Sequence, residues 1–125
     1  MSKNTAKTIV AETPIVINGK GKTLGRLATE VAILLQGKDK VTYAPNRDDG
    51  HAVAVENMSE VEVTGKKMTD KMYHHYSGYP GGLRTRSLGE LWKRDPADVL
   101  KRAVYGMLPK NKLRNNRMKR LTIKK

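Results

Sequence analysis

The period of the apolar residues changes several times along the chain, and each change marks an element. Pro14 to Asn18 (PIVIN) is a short run of β-branched residues ending at Gly19, and it predicts a buried strand. Gly19 to Thr23 then turns the chain. Leu24, Leu27, Ala28, Val31, Leu34 and Leu35 recur at the spacing of one helix face, with Gly37 placed as the helix stop. A loop follows through Pro45, Asn46 and Asp48-Asp49-Gly50. Ala52 to Val55 and Val61 to Thr64 predict two further strands, separated from the next segment by the turn Gly65-Lys66-Lys67. Lys71 to Ser77 mixes aromatic and polar residues and reads as a fourth strand or an extended loop. Gly78 to Gly82 (GYPGG) is too rich in Gly and Pro for regular structure.

Two helix starts are written in the polar residues. Ser87 followed by Glu90 matches a capping box opening a short helix through Trp92. Asp95 and Pro96 form an N-cap followed by proline at the first helical position. Val99, Leu100, Ala103, Val104, Met107 and Leu108 supply the apolar face of that second helix, which Pro109 ends. Beyond it only Leu113, Met118, Leu121 and Ile123 stand as apolar anchors. A strand, a helix and a second strand in the first 55 residues predict a βαβ unit with a parallel pair. Two later helices favour an α/β domain whose helices cover the sheet.

Composition narrows this further. The chain has 125 residues, enough for one domain that buries roughly two thirds of its unfolded surface. With no Phe and one Trp, the core rests on Val, Ile, Leu, Ala and Met. The net charge is +13, which opposes compactness and calls for an anionic partner. Its distribution is uneven: residues 1–98 carry 15 basic and 12 acidic residues, residues 99–125 carry 10 basic and no acidic ones. The longest apolar run, Val31 to Leu35, is far short of the ~20 residues of a membrane-spanning helix. Met1 to Thr8 lacks the apolar stretch of a signal peptide. The absence of cysteine excludes disulfides, thiolate metal sites and a cysteine nucleophile, and fits a reducing, cytosol-like compartment.

No catalytic constellation emerges. Gly19 to Thr23 lies where a phosphate-binding loop would lie, between strand and helix. A Walker A motif would need glycine at Val16, and the dinucleotide fingerprint would need one at Leu24. The turn remains a basic βα connection whose lysines could face a phosphate backbone. Adjacent His74 and His75 would point to opposite faces of a strand, so they do not form a metal pair. Asp48 and Asp49 precede Gly50 and suit a turn better than acid–base work. Tyr73 to Arg86 is more informative. Its tyrosines offer stacking faces, its glycines allow close backbone approach, and Arg84 and Arg86 supply bidentate donors. The segment from Lys110 onward interleaves amides with cations and contains no acid, which matches phosphates better than water. It lacks the broad apolar face of a membrane-surface helix.

Five blocks in order are similar to the bacterial large-subunit ribosomal protein L-thirteen family: Gly21 to Ala28 (GKTLGRLA), Gly37 to Pro45 (GKDKVTYAP), Val63 to Lys67 (VTGKK), Tyr76 to Leu83 (YSGYPGGL) and Gly106 to Leu113 (GMLPKNKL). The resemblance spans residues 14–113, and the basic end more loosely. Thr13-Pro14, Asn18, His51 and Glu56 depart from the family pattern. The resemblance implies a three-layer α/β/α fold around a small, largely parallel four-stranded sheet, with a basic C-terminal extension. It divides the single domain into a flexible tail at 1–12, a core at 13–108 and an RNA-binding segment at 109–125. It also implies a non-enzymatic, cofactor-free constituent of the large subunit that binds its rRNA directly and joins assembly early. The implied setting is the cytoplasmic ribosome, with rRNA and neighbouring large-subunit proteins as partners and neither membrane nor small-molecule substrate.

The implied RNA-facing residues fall into groups. Lys20 and Lys22 lie at the first turn, Lys38 and Lys40 after the first helix, and Lys66 and Lys67 at the second turn. Tyr76, Ser77, Gly78, Tyr79, Gly81, Gly82, Arg84 and Arg86 form the glycine-rich block. Lys110, Asn111, Lys112, Arg114, Arg117, Lys119 and Arg120 form the basic end. That end has little to bury, so it is expected to order only on RNA. Replacing Lys110, Lys112, Arg114 and Arg117 with Ala is then expected to weaken rRNA binding and barely change the melting temperature. Two rival functions stand beside this reading: a regulatory RNA-binding protein acting off the ribosome, and a nucleotide-hydrolysing enzyme built on Gly19 to Thr23.

Overall fold

A computed structural model describes residues 13–124. The expected tail at 1–12 lies outside the described residues. Strand β1 (Ile15–Asn18) leads through the basic turn into helix α1 (Leu24–Gln36). Gly37 ends α1 as expected, with φ 79° and its N–H donating to the carbonyls of Ile33 and Leu34. β2 (Val53–Glu56) follows the loop, and a single 3-10 turn covers Met58–Glu60. Next come α2 (Lys67–Asp70), β3 (Met72–Tyr76) and β4 (Leu83–Ser87). α3 (Leu88–Arg94) and α4 (Pro96–Met107) both start where the sequence placed their caps. The Ser87 side chain accepts from the Glu90 N–H, and the Asp95 side chain accepts from the Ala97 N–H. α5 (Leu113–Lys119) and β5 (Leu121–Ile123) complete the chain.

The fold is mixed α/β, and the expected parallel pair is present: β1 and β2 run parallel. The four-stranded sheet is not. Three strands make one parallel sheet in the order β1-β2-β5, and β3 and β4 form a separate antiparallel pair. Val61 to Thr64, expected as a strand, makes one bridge only, between Glu62 and Thr23. The reason is local. Its partner is the end of the basic turn, and that partner becomes helix at Leu24, so no ladder can extend.

Parallel register puts Ile15, Val53 and Leu121 side by side, and likewise Ile17, Val55 and Ile123. That face joins Leu27, Val31 and Leu35 of α1 and Leu100 and Val104 of α4 in the main core. A full burial of each such side chain contributes about 1.5–3 kcal/mol. A smaller cluster of Leu88, Leu91 and Val99 lies under β3 through Tyr73. The other face of the parallel sheet carries Val16, Ala54 and Thr122; Val16 is 57% exposed, Thr122 is exposed and Ala54 between them is buried. Among the described residues the expected three-layer sandwich therefore leaves the edge-strand residues Val16 and Thr122 exposed on this face.

The largest departure is the C-terminal segment, which is built into the core instead of extending from it. β5 forms the third strand of the parallel sheet, with Leu121 buried. Arg117 is 1% exposed and is the largest fully buried side chain. Its Nε lies 3.7 Å from the Asp48 carboxylate, and its Nη2 donates to the Arg47 carbonyl at 3.1 Å. Arg120 donates through Nη2 to Asp48 at 2.6 Å and to the Leu35 carbonyl at 2.8 Å. One carboxylate and two backbone carbonyls therefore fasten the basic end to the 47–48 loop and to α1. The four-alanine variant that includes Arg117 should lose stability, contrary to the sequence expectation.

Candidate nucleic-acid interface

The basic turn is not a phosphate cradle. Its amides are already used: Gly19 N–H donates to Glu56, Lys20 to the Asn18 side chain, Gly21 to Glu60 and Lys22 to Gly19. Its lysines are also partly engaged. Lys22 Nζ lies 2.8 Å from Glu30, and Lys20 Nζ 3.6 Å from Glu60. Both pairs are solvent-exposed, so water and salt weaken them and RNA phosphates can compete. Lys40 Nζ is spent on the Asp49 carbonyl at 2.6 Å, while Lys38 is exposed and has no partner among the described residues.

The β3–β4 hairpin is exposed along nearly its whole length, because neither face is needed for the main core. Its register pairs Tyr73 with Arg86 and His75 with Arg84, so these four share one face. Among the described residues neither arginine has a carboxylate partner. The loop between the strands closes through Gly82 N–H to the Tyr79 carbonyl at 2.9 Å. Gly78 and Gly81 take positive φ there, and a Cβ on Gly82 would run into the Ser77 hydroxyl, so the loop needs its glycines. Tyr76 and Tyr79 project from it, Tyr79 74% exposed. His74 does not face His75: its Nδ1 pairs with the Thr85 hydroxyl across the ladder at 3.0 Å. Among the described residues no three His, Cys, Asp or Glu gather as a metal site.

Beneath the arginine-bearing face lies a pocket of about 520 Å³ lined by Tyr73, Arg84, Arg86, Arg94 and Arg102, with Asp95 and Asp98. Arg102 holds Asp98 at 2.9 Å and lies 5.4 Å from the Tyr73 ring centre. Burial pushes the Tyr73 phenol above its usual pKa; Arg102 opposes that rise and Asp98 adds to it. The ring therefore stays a neutral donor and stacking surface at neutral pH.

At the basic end Lys110, Asn111, Lys112 and Lys119 are exposed. The Asn111 side chain accepts from Leu113 N–H at 3.0 Å, which starts α5. Arg114 stacks 3.7 Å above the Tyr105 ring and donates to its hydroxyl. Lys66 and Lys67 are exposed at the start of α2, with no side-chain partners among the described residues. Arg117 and Arg120 are turned inward, as described above. Sequence reasoning missed Arg26, Lys71, Arg94 and Arg102, which join the cationic surface. Arg26 lay in the first resemblance block, and Arg102 on the polar face of α4.

The family model described as ribosomal protein L13 matches residues 12–124. The chain belongs to that family. It is 44% identical over 108 residues to the large ribosomal subunit protein uL13 of Geobacter sulfurreducens, covering 86% of this chain and 76% of that protein. It is 48% identical over 108 residues to the protein of the same name from Rubrobacter xylanophilus, again covering 86% and 76%. The protein of that name from Syntrophotalea carbinolica is 44% identical over 117 residues, 94% of this chain and 82% of the relative. The resemblance read from the five blocks is upheld. Members of the ribosomal protein L13 family are structural proteins and not enzymes.

Proposed function

We propose that this chain is a structural constituent of the large ribosomal subunit, in the cytoplasm, and that it binds large-subunit rRNA directly and joins assembly early. One observation carries the RNA contact. Among the described residues every salt bridge leaves Lys38, Lys66, Lys67, Arg84, Arg86, Lys110, Lys112 and Lys119 unpaired, and all are exposed. Cations held at the surface without acids are suited to displacing counterions from phosphates. The tyrosines and glycines of the hairpin loop suit unpaired RNA bases. Neighbouring large-subunit proteins are the second expected class of partner.

With six to ten phosphate contacts, affinity for rRNA should fall ~10³–10⁵-fold between 50 and 200 mM salt. Filter binding across that range measures it, and a flat profile would contradict the reading. Replacing Lys110, Lys112 and Lys119 with Ala should weaken rRNA binding and lower the salt slope. These side chains are exposed and unpaired, so each change should cost stability no more than about 0.5 kcal/mol. The role itself is tested by tracing the protein through a sucrose gradient in high salt. Co-migration with the large subunit is expected. Recovery in the light fractions, with RNA binding intact, would indicate a regulatory binder instead.

A further inference from the structure

A groove of about 770 Å³ runs between the start of α1, the 62–71 segment and the end of α4. Arg26, Lys67, Lys71 and Arg102 line it, with Glu62 as its one acidic residue. Arg102 is tied to Asp98, and Lys71 lies 5.7 Å from the Tyr73 ring centre. Arg26 and Lys67 have no partner among the described residues. Two helical glycines also line the groove, Gly25 in the first turn of α1 and Gly106 in the last turn of α4. A Cβ built on either meets nothing within 4 Å, and neither has a positive φ. The protein's own packing therefore requires glycine at neither place, although glycine weakens a helix relative to alanine. Bare backbone does let a sugar–phosphate chain lie against the helix.

We propose that this groove holds a single RNA strand, its phosphates paired with Arg26, Lys67 and Lys71 and its backbone resting on Gly25 and Gly106. The proposal rests on the rRNA-binding reading above. A polyanion with a charge on every unit suits cations supplied from two separate elements, Arg26 of α1 and Lys67 and Lys71 at the two ends of α2, and a phosphodiester chain is such a polyanion. Arg102 lines both this groove and the pocket under the hairpin, so a strand leaving the groove passes directly to the face of Tyr73, Arg84 and Arg86.

The test uses the full chain and a transcript of bacterial large-subunit rRNA. Gly25→Gln and Gly106→Gln fill the groove without changing charge. Their melting temperatures should equal or exceed the parent's, since the space is open and the helix gains. Their RNA affinity should fall about tenfold, the value of one charge-assisted contact. Replacing Arg26, Lys67 and Lys71 together with Ala should lower the slope of log affinity against log salt by about 2, at ~0.7 per contact with a single strand. Parental affinity in both glycine variants, or an unchanged slope in the triple variant, overturns the groove. In that event, weak binding by the Lys110, Lys112 and Lys119 variant would leave the rRNA reading standing. A parent chain that fails to bind the transcript would instead defeat that reading itself. Glycine variants that bind the transcript normally and yet fail to enter the large subunit would assign the groove to a protein neighbour and overturn the RNA strand.

Discussion

Gly50→Ala is expected to cost about 3 kcal/mol or more and to lower the melting temperature by over ~10 °C, at about 4 °C per kcal/mol for a chain of this size. The reason is a backbone contact across two elements. A Cβ on Gly50 would collide with the Leu35 carbonyl oxygen and would lie 2.7 Å from Arg120 Nη2. Neither obstacle can move cheaply. The Leu35 carbonyl accepts from Arg120, and the Leu34 carbonyl beside it accepts from His51 N–H at 3.0 Å. Relief would pull the loop away from the end of α1 and break those bonds. Gly65→Ala is the control. Gly65 has φ 66° and nothing within 4 Å of its would-be Cβ, so it isolates the backbone cost of about 1–2 kcal/mol. Thermal melts of the two variants decide the matter. Equal losses would show that Leu35 and Gly50 do not approach as described.

The second large effect is expected at Arg117. Arg117→Ala should cost about 3–5 kcal/mol, the range for breaking a buried charge pair from one side. It removes a fully buried side chain, the hydrogen bond to the Arg47 carbonyl, and one of the two cations on Asp48. Asp48→Asn should destabilise by a comparable mechanism, because Arg117 would then be buried without its carboxylate. The double variant should lose less than the sum of the two, since both singles break the same pair. Lys119→Ala, two positions along and exposed, should stay within about 0.5 kcal/mol of the parent. Denaturant unfolding of the four proteins measures all of these. An Arg117→Ala protein as stable as Lys119→Ala would place the guanidinium at the surface after all. It would also restore the basic end to the status of an RNA-binding extension.

The contrast between Lys119 and Arg117 shows where legibility stops. Both read as cations in an acid-free stretch, and local sequence does not distinguish them. Arg117 turns inward because Asp48, about seventy residues earlier, is carried to it by the loop after α1. β5 was illegible for a related reason. Three residues, Leu121 to Ile123, carry too little pattern to announce a strand, and β2 supplies the pairing. β4 lacked the usual alternation because neither of its faces enters the main core, so no strand was expected over Leu83 to Ser87. In the opposite direction, Val61 to Thr64 had a strand's composition but found only a turn to pair with.

What the sequence determined by itself is whatever depends on near neighbours. The βαβ start, the α1 face, the stop at Gly37 and the caps at Ser87 and Asp95 follow from side-chain period and from hydrogen bonds spanning two to four residues. The family was equally readable, because five ordered blocks are a property of the chain alone. Only the tertiary structure decided which cations remain at the surface, which strand completes the sheet and which glycines line the groove. Each of these depends on residues far apart in the chain meeting in space, and partners at that separation leave no periodic trace in either segment.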